Sequence, residues 1–273
     1  MSNVPPTNGT PRTLVFVHAH PDDEALLTSG TMARAAAEGN RVVLVVATDG
    51  SAGLASSQFA GDLATTRMAE VAESAAALKV TRTVSLGYVD SGLNGDVAAG
   101  FAHTGRFTVA KAIAAVCDEE QADVLVGYDP AGGYGHPDHL HVHRSVRAAS
   151  VLCTRPPRVF EATLPREPIA RAVHAASWLR LTPDGFTPAE FDRSWTPGAQ
   201  ITHRVNVRAY LPAKLAALRA HASQASADGS VRTLAVLTRL PSPIQSVLLG
   251  TEYYVLVSDP QAASVSSTAV ELS

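Results

Sequence analysis

This chain has few cysteines, no excess of positive charge and no long apolar run. Its two cysteines, Cys117 and Cys153, lie far apart and form no C-x-x-C pair, which is typical of a reducing compartment. The net charge of −3 disfavours binding to a phosphate backbone. No basic segment precedes an apolar one after Met1, and the apolar run at residues 42–47 is too short to span a bilayer. We therefore expect a cytoplasmic protein without nucleic-acid or membrane partners.

The hydrophobic residues, 46% of the 273-residue chain, are arranged as for an α/β core. Short β-branched runs alternate with segments of helical spacing, which favours right-handed βαβ units around a parallel sheet. The predicted strands are residues 13–17, 41–48, 80–86 and 122–128, and the helices between them are residues 25–38, 62–78 and 108–120. In the common strand order 3-2-1-4-5, the first and fourth strands are neighbours.

The final third of the chain has a weaker pattern. It predicts strands at residues 158–162, 201–207 and 251–257, and helices at residues 211–222 and 231–240. Residues 165–200 are expected to form a substrate-covering insertion, and residues 1–12 a flexible arm. We therefore expect residues 13–273 to form a single domain. Its fold class is α/β, a Rossmann-like three-layer fold with a mostly parallel sheet and a C-terminal α/β extension.

Two clusters of histidines and carboxylates follow predicted strands. The first is HAHPDDE at residues 18–24, and the second is DPAGGYGHPDH at residues 129–139. Such groups at the end of a buried strand need partners or water. If the first and fourth strands are neighbours, both clusters lie beyond their carboxyl ends, where parallel sheets bind ligands. The two clusters are therefore predicted to form one site.

The residue types in these clusters suit a catalytic metal ion. A catalytic zinc takes three nitrogen or oxygen ligands and keeps one position open for water. The clusters supply such a set in His20, Asp23 and His139. Asp22 could take a proton from the water, and His136 could act as an acid or stabilise an oxyanion. Asp138 could orient a histidine.

The paired motifs HPDDE at residues 20–24 and HPDH at residues 136–139 resemble the PIG-L/LmbE-like family of zinc-dependent N-deacetylases. Weaker similarities occur at residues 48–50, 67–70, 90–92 and 214–224. The resemblance implies one zinc ion, Zn2+, with ligands His20, Asp23 and His139. It also implies Asp22 as general base and His136 as general acid. A further implication is that Tyr134 polarises the amide carbonyl, while Arg67 and Asp90 hold the sugar or its inositol.

Several residues also fit ordinary structural roles. Glu24 suits either a helix start or support of the site, and Arg67 suits either substrate binding or an intrahelical pair with Glu70. Asp90 is also a common turn residue, and Tyr134 could be a packing aromatic. We expect three histidines to lie outside the metal set: His18, His141 and His143. We expect three late polar residues to lie on a solvated helix face: Lys214, His221 and Gln224. The two tryptophans, Trp178 and Trp195, suit either sugar stacking or packing.

The leading functional hypothesis is a zinc-dependent hydrolase that removes acetyl from the 2-acetamido group of an N-acetylglucosamine conjugate. The substrate would be a small amino-sugar molecule. Within the same chemistry, the alternatives are a mycothiol S-conjugate amidase and an antibiotic-glycoside deacetylase. A nucleotide-binding module is disfavoured, because no G-x-G-x-x-G follows the first strand. A metal-binding protein without catalysis is the remaining alternative.

Overall fold

Seven strands form one sheet in the computed structural model, which describes residues 11–52, 62–180, 187–225 and 233–260. The strands are β1 (Thr13–His18), β2 (Arg41–Thr48), β3 (Arg82–Tyr88), β4 (Val124–Tyr128), β5 (Arg158–Thr163), β6 (His203–Asn206) and β7 (Thr251–Ser258). Their order is β3-β2-β1-β4-β5-β7-β6. The first five are parallel, and β7 and β6 add an antiparallel edge. The predicted fold class and the order of the first five strands are confirmed.

Helices cover both faces of this sheet. They are α1 (Asp23–Leu27), α2 (Ser29–Ala37), α3 (Leu63–Ala77), α4 (Arg106–Glu119), α5 (Pro137–Leu152), α6 (Arg166–Trp178), α7 (Leu211–Ala220), α8 (Ala222–Ala225), α9 (Thr233–Arg239) and α10 (Ser242–Leu249). Side chains alternate along β1, so that Val15 and Val17 join the core beneath α4 and α5, whereas Phe16 joins the core beneath α2 and α7. β1 is buried on both faces from Val15 to His18, so the polar cluster that follows it lies just beyond its carboxyl end.

Several predicted boundaries differ from those in the structure, and two of the differences have a visible cause. The helix expected at residues 25–38 is divided at Thr28, which leaves the helical conformation and places its hydroxyl 2.8 Å from Nε2 of His18. The third strand starts at Arg82 instead of residue 80 because Val80 still caps α3 by donating to the carbonyl of Ala75. Both shifts come from local hydrogen bonds that hydrophobic spacing does not encode.

The insertion predicted at residues 165–200 contains α6, and Thr196 near its end forms an isolated β-bridge with Pro165 at its start. Its role as a substrate cover stays a prediction, as do the single-domain boundaries. Residues 1–10 of the predicted arm and residues 261–273 lie outside the described residues. Among the helices that are described, none is long and apolar enough to cross a membrane.

Candidate metal and active site

The two motif clusters meet where the strand order reverses between β1 and β4. Tyr128, the last residue of β4, connects them: its hydroxyl accepts the backbone N–H of Ala19 at 2.9 Å and donates to Asp23 Oδ2 at 2.6 Å. The Tyr128 ring also stacks on the imidazole of His139, with centroids 4.3 Å apart. Burial, together with the charge of Asp23, raises the pKa of Tyr128 well above its ordinary value, so it remains a donor.

Three buried or nearly buried atoms that could bind a metal ion converge at this junction. His20 Nδ1 lies 3.3 Å from Asp23 Oδ2, His139 Nε2 lies 3.3 Å from the same oxygen, and the two nitrogens are 3.3 Å apart. Ligand atoms about 2.0–2.2 Å from a tetrahedral zinc are separated by about 3.3–3.6 Å. The spacing of this triad therefore fits a metal ion bound by three protein atoms.

Hydrogen bonds behind the two imidazoles fix which nitrogen faces the triad. His139 Nδ1 lies 3.1 Å from the carbonyl of Gly132, and His20 Nε2 lies 3.1 Å from Asp138 Oδ2. A carbonyl and a carboxylate can only accept, so these nitrogens carry the proton when each imidazole is neutral, and the opposite nitrogens then present lone pairs. Asp138 thus contacts His20 on the side away from the triad, and its role in orienting this histidine stays a prediction.

The surroundings of His20 carry an excess of negative charge. Burial by itself lowers the pKa of this imidazole, but hydrogen bonds to Asp138, Asp23 and Asp90 outweigh burial and raise the pKa well above its ordinary value. A bound cation would balance the same charge. The negative charge around His20 and the spacing of the three ligand atoms therefore both favour a bound cation.

Asp22 lies beside the triad but outside it. Its backbone has a φ of 112°, a left-handed conformation that costs energy for any residue except glycine. The N–H of Asp22 donates to Glu24 Oε2 at 3.0 Å, and Asp22 Oδ2 accepts from Arg67 at 3.2 Å. Burial raises the pKa of Asp22 to about 6, although the charge of Arg67 opposes the shift. The result is a carboxylate suited to accept a proton.

His136 and Tyr134 complete the junction on the β4 side. His136 Nδ1 accepts the backbone N–H of Asp138 at 3.2 Å, so neutral His136 carries its proton on Nε2. Burial, and then the charges of His20 and His139, lower the pKa of His136 to about 4. Tyr134 is 47% exposed, and its ring lies 5.2 Å from that of His139. His136 is therefore a buried imidazole that can donate a hydrogen bond, and Tyr134 is a phenol that a ligand can reach.

Other groupings of metal-ligating atoms share these residues. The ring nitrogens of His20, His136 and His139 lie within 4.8 Å of one another, as do donor atoms of His20, Asp90 and Asp138. We favour the set with Asp23, because Nε2 of His20 already donates to Asp138, and because His136 accepts at Nδ1 and carries its proton on Nε2, so it has no free lone pair.

Sequence comparison places this chain in a known family. The model for PIG-L, GlcNAc-PI de-N-acetylase, matches residues 15–150. A protein of Saccharomonospora viridis named 1D-myo-inositol 2-acetamido-2-deoxy-alpha-D-glucopyranoside deacetylase is 36% identical over 264 residues, which cover 91% of this chain and 96% of that relative. The chain belongs to the PIG-L family. The resemblance inferred from the two motifs is confirmed.

Solved structures similar to this PIG-L protein agree in fold. The N,N'-diacetylchitobiose deacetylase of Pyrococcus horikoshii matches with a TM-score of 0.58 and 20% identity, covering 91% of this chain and 84% of that structure. The 4-carboxy-2-hydroxymuconate hydratase GalB of Pseudomonas putida KT2440 matches with a TM-score of 0.57 and 16% identity, covering 91% and 97%. The fold therefore carries more than one reaction, and the site must decide which one applies.

The two residues expected to hold the sugar both have protein partners in this PIG-L chain. Arg67 is buried and donates to the carbonyls of Gly50 and Pro21, each at 2.7 Å, as well as to Asp22. Asp90 accepts the N–H of Gly92 at 2.9 Å, as in a turn, while its Oδ1 lies 3.5 Å from His20 Nε2. Their contact with a sugar stays a prediction.

The prediction for the late polar residues is wrong. Lys214, His221 and Gln224 are buried. Lys214 donates to Glu252 at 2.5 Å, and His221 Nε2 lies 2.6 Å from Glu24 Oε1, which also accepts from Ser74. α7 has mostly alanine and leucine around Lys214, which could have indicated a buried helix. The partners of these residues are distant in sequence and gave no local signal.

Contacts of the remaining residues bear on their structural alternatives. Glu24 supports the site by accepting the N–H of Asp22. Glu70 accepts the hydroxyl of Ser223 at 2.7 Å and does not pair with Arg67. Three histidines have other partners, as expected: His18 with Thr28, His141 against Phe101, and His143 with the carbonyl of Tyr128. Of the two tryptophans, Trp178 is 83% exposed and Trp195 is buried.

Proposed function

We propose that this protein is a metal-dependent deacetylase that hydrolyses the 2-acetamido group of an N-acetylglucosamine conjugate. The observation that carries the proposal is the donor triad of His20, Asp23 and His139 with the carboxylate of Asp22 beside it. The name of the Saccharomonospora viridis relative supports an inositol glycoside of N-acetylglucosamine as the substrate. Zinc is the metal we propose, because two imidazoles and one carboxylate are a common catalytic zinc set.

The metal would be held by His20, Asp23 and His139, and when bound it would polarise the acetamide carbonyl and lower the pKa of the attacking water. Asp22 would take the proton from that water as it attacks the carbonyl carbon. Arg67 and the N–H of Asp22, which is bonded to Glu24, keep the Asp22 carboxylate in place during this transfer.

Two donors would stabilise the oxyanion as the carbonyl carbon becomes tetrahedral. His136 offers its Nε2–H, because its Nδ1 already accepts the N–H of Asp138. Tyr134 offers its hydroxyl from the exposed side of the site. The family resemblance gives His136 the role of general acid, whereas the hydrogen bond at Nδ1 supports oxyanion binding. In that case Asp22 returns the proton to the departing amine, and acetate leaves.

A substrate panel tests this function. Purified protein, stripped of metal and then given Zn2+, is incubated with N-acetylglucosaminyl-inositol, an N-acetylglucosaminyl glycoside and a thiol conjugate of the mycothiol type, and the released amine is measured. We expect zinc-dependent release that is fastest with the inositol glycoside. A faster reaction with the thiol conjugate would indicate an amidase. Bound zinc without release from any of the three would contradict the proposal.

A further inference from the structure

The loop that carries Tyr134 is built almost without side chains of its own. Gly132, Gly133 and Gly135 all have positive φ values, of 61°, 66° and 96°. Such a backbone is accessible mainly to glycine, which loses more conformational freedom on folding than any other residue. Tyr134 therefore depends on contacts from elsewhere in the molecule to hold its hydroxyl in one position.

One anchor of this loop is the buried carboxylate of Asp129. Its Oδ1 accepts the N–H of Gly133 at 2.9 Å, and its Oδ2 accepts the hydroxyls of Thr163 and Thr196 at 2.5 and 3.1 Å. Thr196 belongs to the returning end of the 165–200 segment. The carboxylate therefore connects the glycine loop to β5 and to that segment.

The second anchor is Trp195, the residue before Thr196. Its N–H donates to the carbonyl of Gly133 at 2.7 Å, and its ring lies so close that a Cβ at Gly133 would be 2.8 Å from the indole. The indole centroid is 6.5 Å from that of Tyr134. Gly133 is thus held by Asp129 on its amide side and by Trp195 on its carbonyl side.

Trp195 itself is in an unfavourable conformation. Its φ is 58°, a left-handed value that is unfavourable for a bulky residue. Arg166 holds it there by donating to the carbonyl of Trp195 at 2.7 Å and to that of Ser194 at 2.9 Å. The ring is buried, so it is not a platform open to a sugar. Strain of this kind persists where the surroundings fix a functional geometry.

We infer that Trp195 is a positioning residue that acts through Tyr134: its ring and N–H hold the glycine loop so that the Tyr134 hydroxyl meets the substrate carbonyl. This inference rests on the proposed function, in which Tyr134 binds the oxyanion. Through Trp195, the segment of residues 165–200 would then help to position Tyr134 for the reaction, in addition to any cover that the segment provides over the substrate.

The test is a double-mutant cycle between Trp195 and Tyr134 in the zinc-loaded protein. Trp195→Gly removes the indole but keeps the N–H and suits the positive φ, so the ring is tested separately from the backbone. Tyr134→Phe removes the hydroxyl. Trp178→Ala is the matched control, because this second tryptophan lies in the same segment but is 83% exposed.

We expect Trp195→Gly to lower kcat about 10- to 100-fold with little change in KM, since misplaced catalytic groups cost that much. In the Tyr134→Phe background the same change should cost less than about 3-fold. Hydrogen–deuterium exchange of residues 129–136 should be faster in Trp195→Gly, whereas zinc content stays at one per chain. Trp178→Ala should keep the wild-type kcat and the wild-type exchange of residues 129–136.

The outcomes separate the two claims. Equal losses of kcat in both backgrounds, or unchanged exchange of residues 129–136, would overturn the positioning role while leaving the deacetylase function intact. A wild-type protein that binds zinc but releases no amine would overturn the proposed function, and the role of Trp195 with it.

Discussion

His221 Nε2 lies 2.6 Å from Glu24 Oε1, and both side chains are fully buried although 197 residues separate them in sequence. Glu24 Oε2 in turn accepts the N–H of Asp22, which lies beside the metal triad. Burial alone raises the pKa of Glu24, but the charge of His221 and the bonds from His221 and Ser74 lower it to about 2. The C-terminal third of the chain thus supports the motif near its start.

The first prediction concerns this buried pair. His221→Ala leaves the carboxylate of Glu24 buried without its main partner, so the free energy of unfolding should fall by about 3–5 kcal/mol. Urea denaturation monitored by circular dichroism measures the change. His174→Ala is the control, since the pair of His174 with Asp192 is half exposed and should contribute less than about 1 kcal/mol. Similar small losses in both variants would show that Glu24 does not need His221.

The sequence predicted the parts of this site that are encoded in short motifs, and it missed the parts that depend on contacts between distant residues. The two motifs and the strands before them are local, so the sequence located the junction of β1 and β4 and the donor set proposed there. His221 and Lys214 were placed on a solvated face because their partners, Glu24 and Glu252, come from other elements. Hydrophobic spacing describes one element at a time, and such pairs depend on how several elements pack.

The second prediction concerns the metal triad. His139→Ala removes one of three donor atoms, so zinc measured by mass spectrometry after dialysis should fall from about one per chain to well below that. The melting temperature in excess zinc should fall with it. His103→Ala, a histidine exposed on the surface, should keep both values. Full zinc occupancy in His139→Ala would contradict the triad and favour the grouping that lacks His139, that of His20, Asp90 and Asp138.

The third prediction separates two roles of Arg67. Lysine keeps the charge but cannot donate to Gly50, Pro21 and Asp22 together, so Arg67→Lys should leave Asp22 poorly positioned. Steady-state kinetics should show kcat lowered by about 10-fold or more with a small change in KM. If Arg67 instead mainly holds the sugar, KM should rise while kcat stays near that of the wild type. Arg34→Lys, at an exposed pair with Glu38, is the control.

We propose that Asp22 acts as a base beside a metal that it does not bind. The most direct measurement is zinc content and amine release in one preparation of Asp22→Asn, with N-acetylglucosaminyl-inositol as substrate. We predict one zinc per chain and a kcat at least about 100-fold below that of the wild type, because general base catalysis contributes at least that much. An Asp22→Asn protein that binds zinc and releases amine at the wild-type rate would contradict the account.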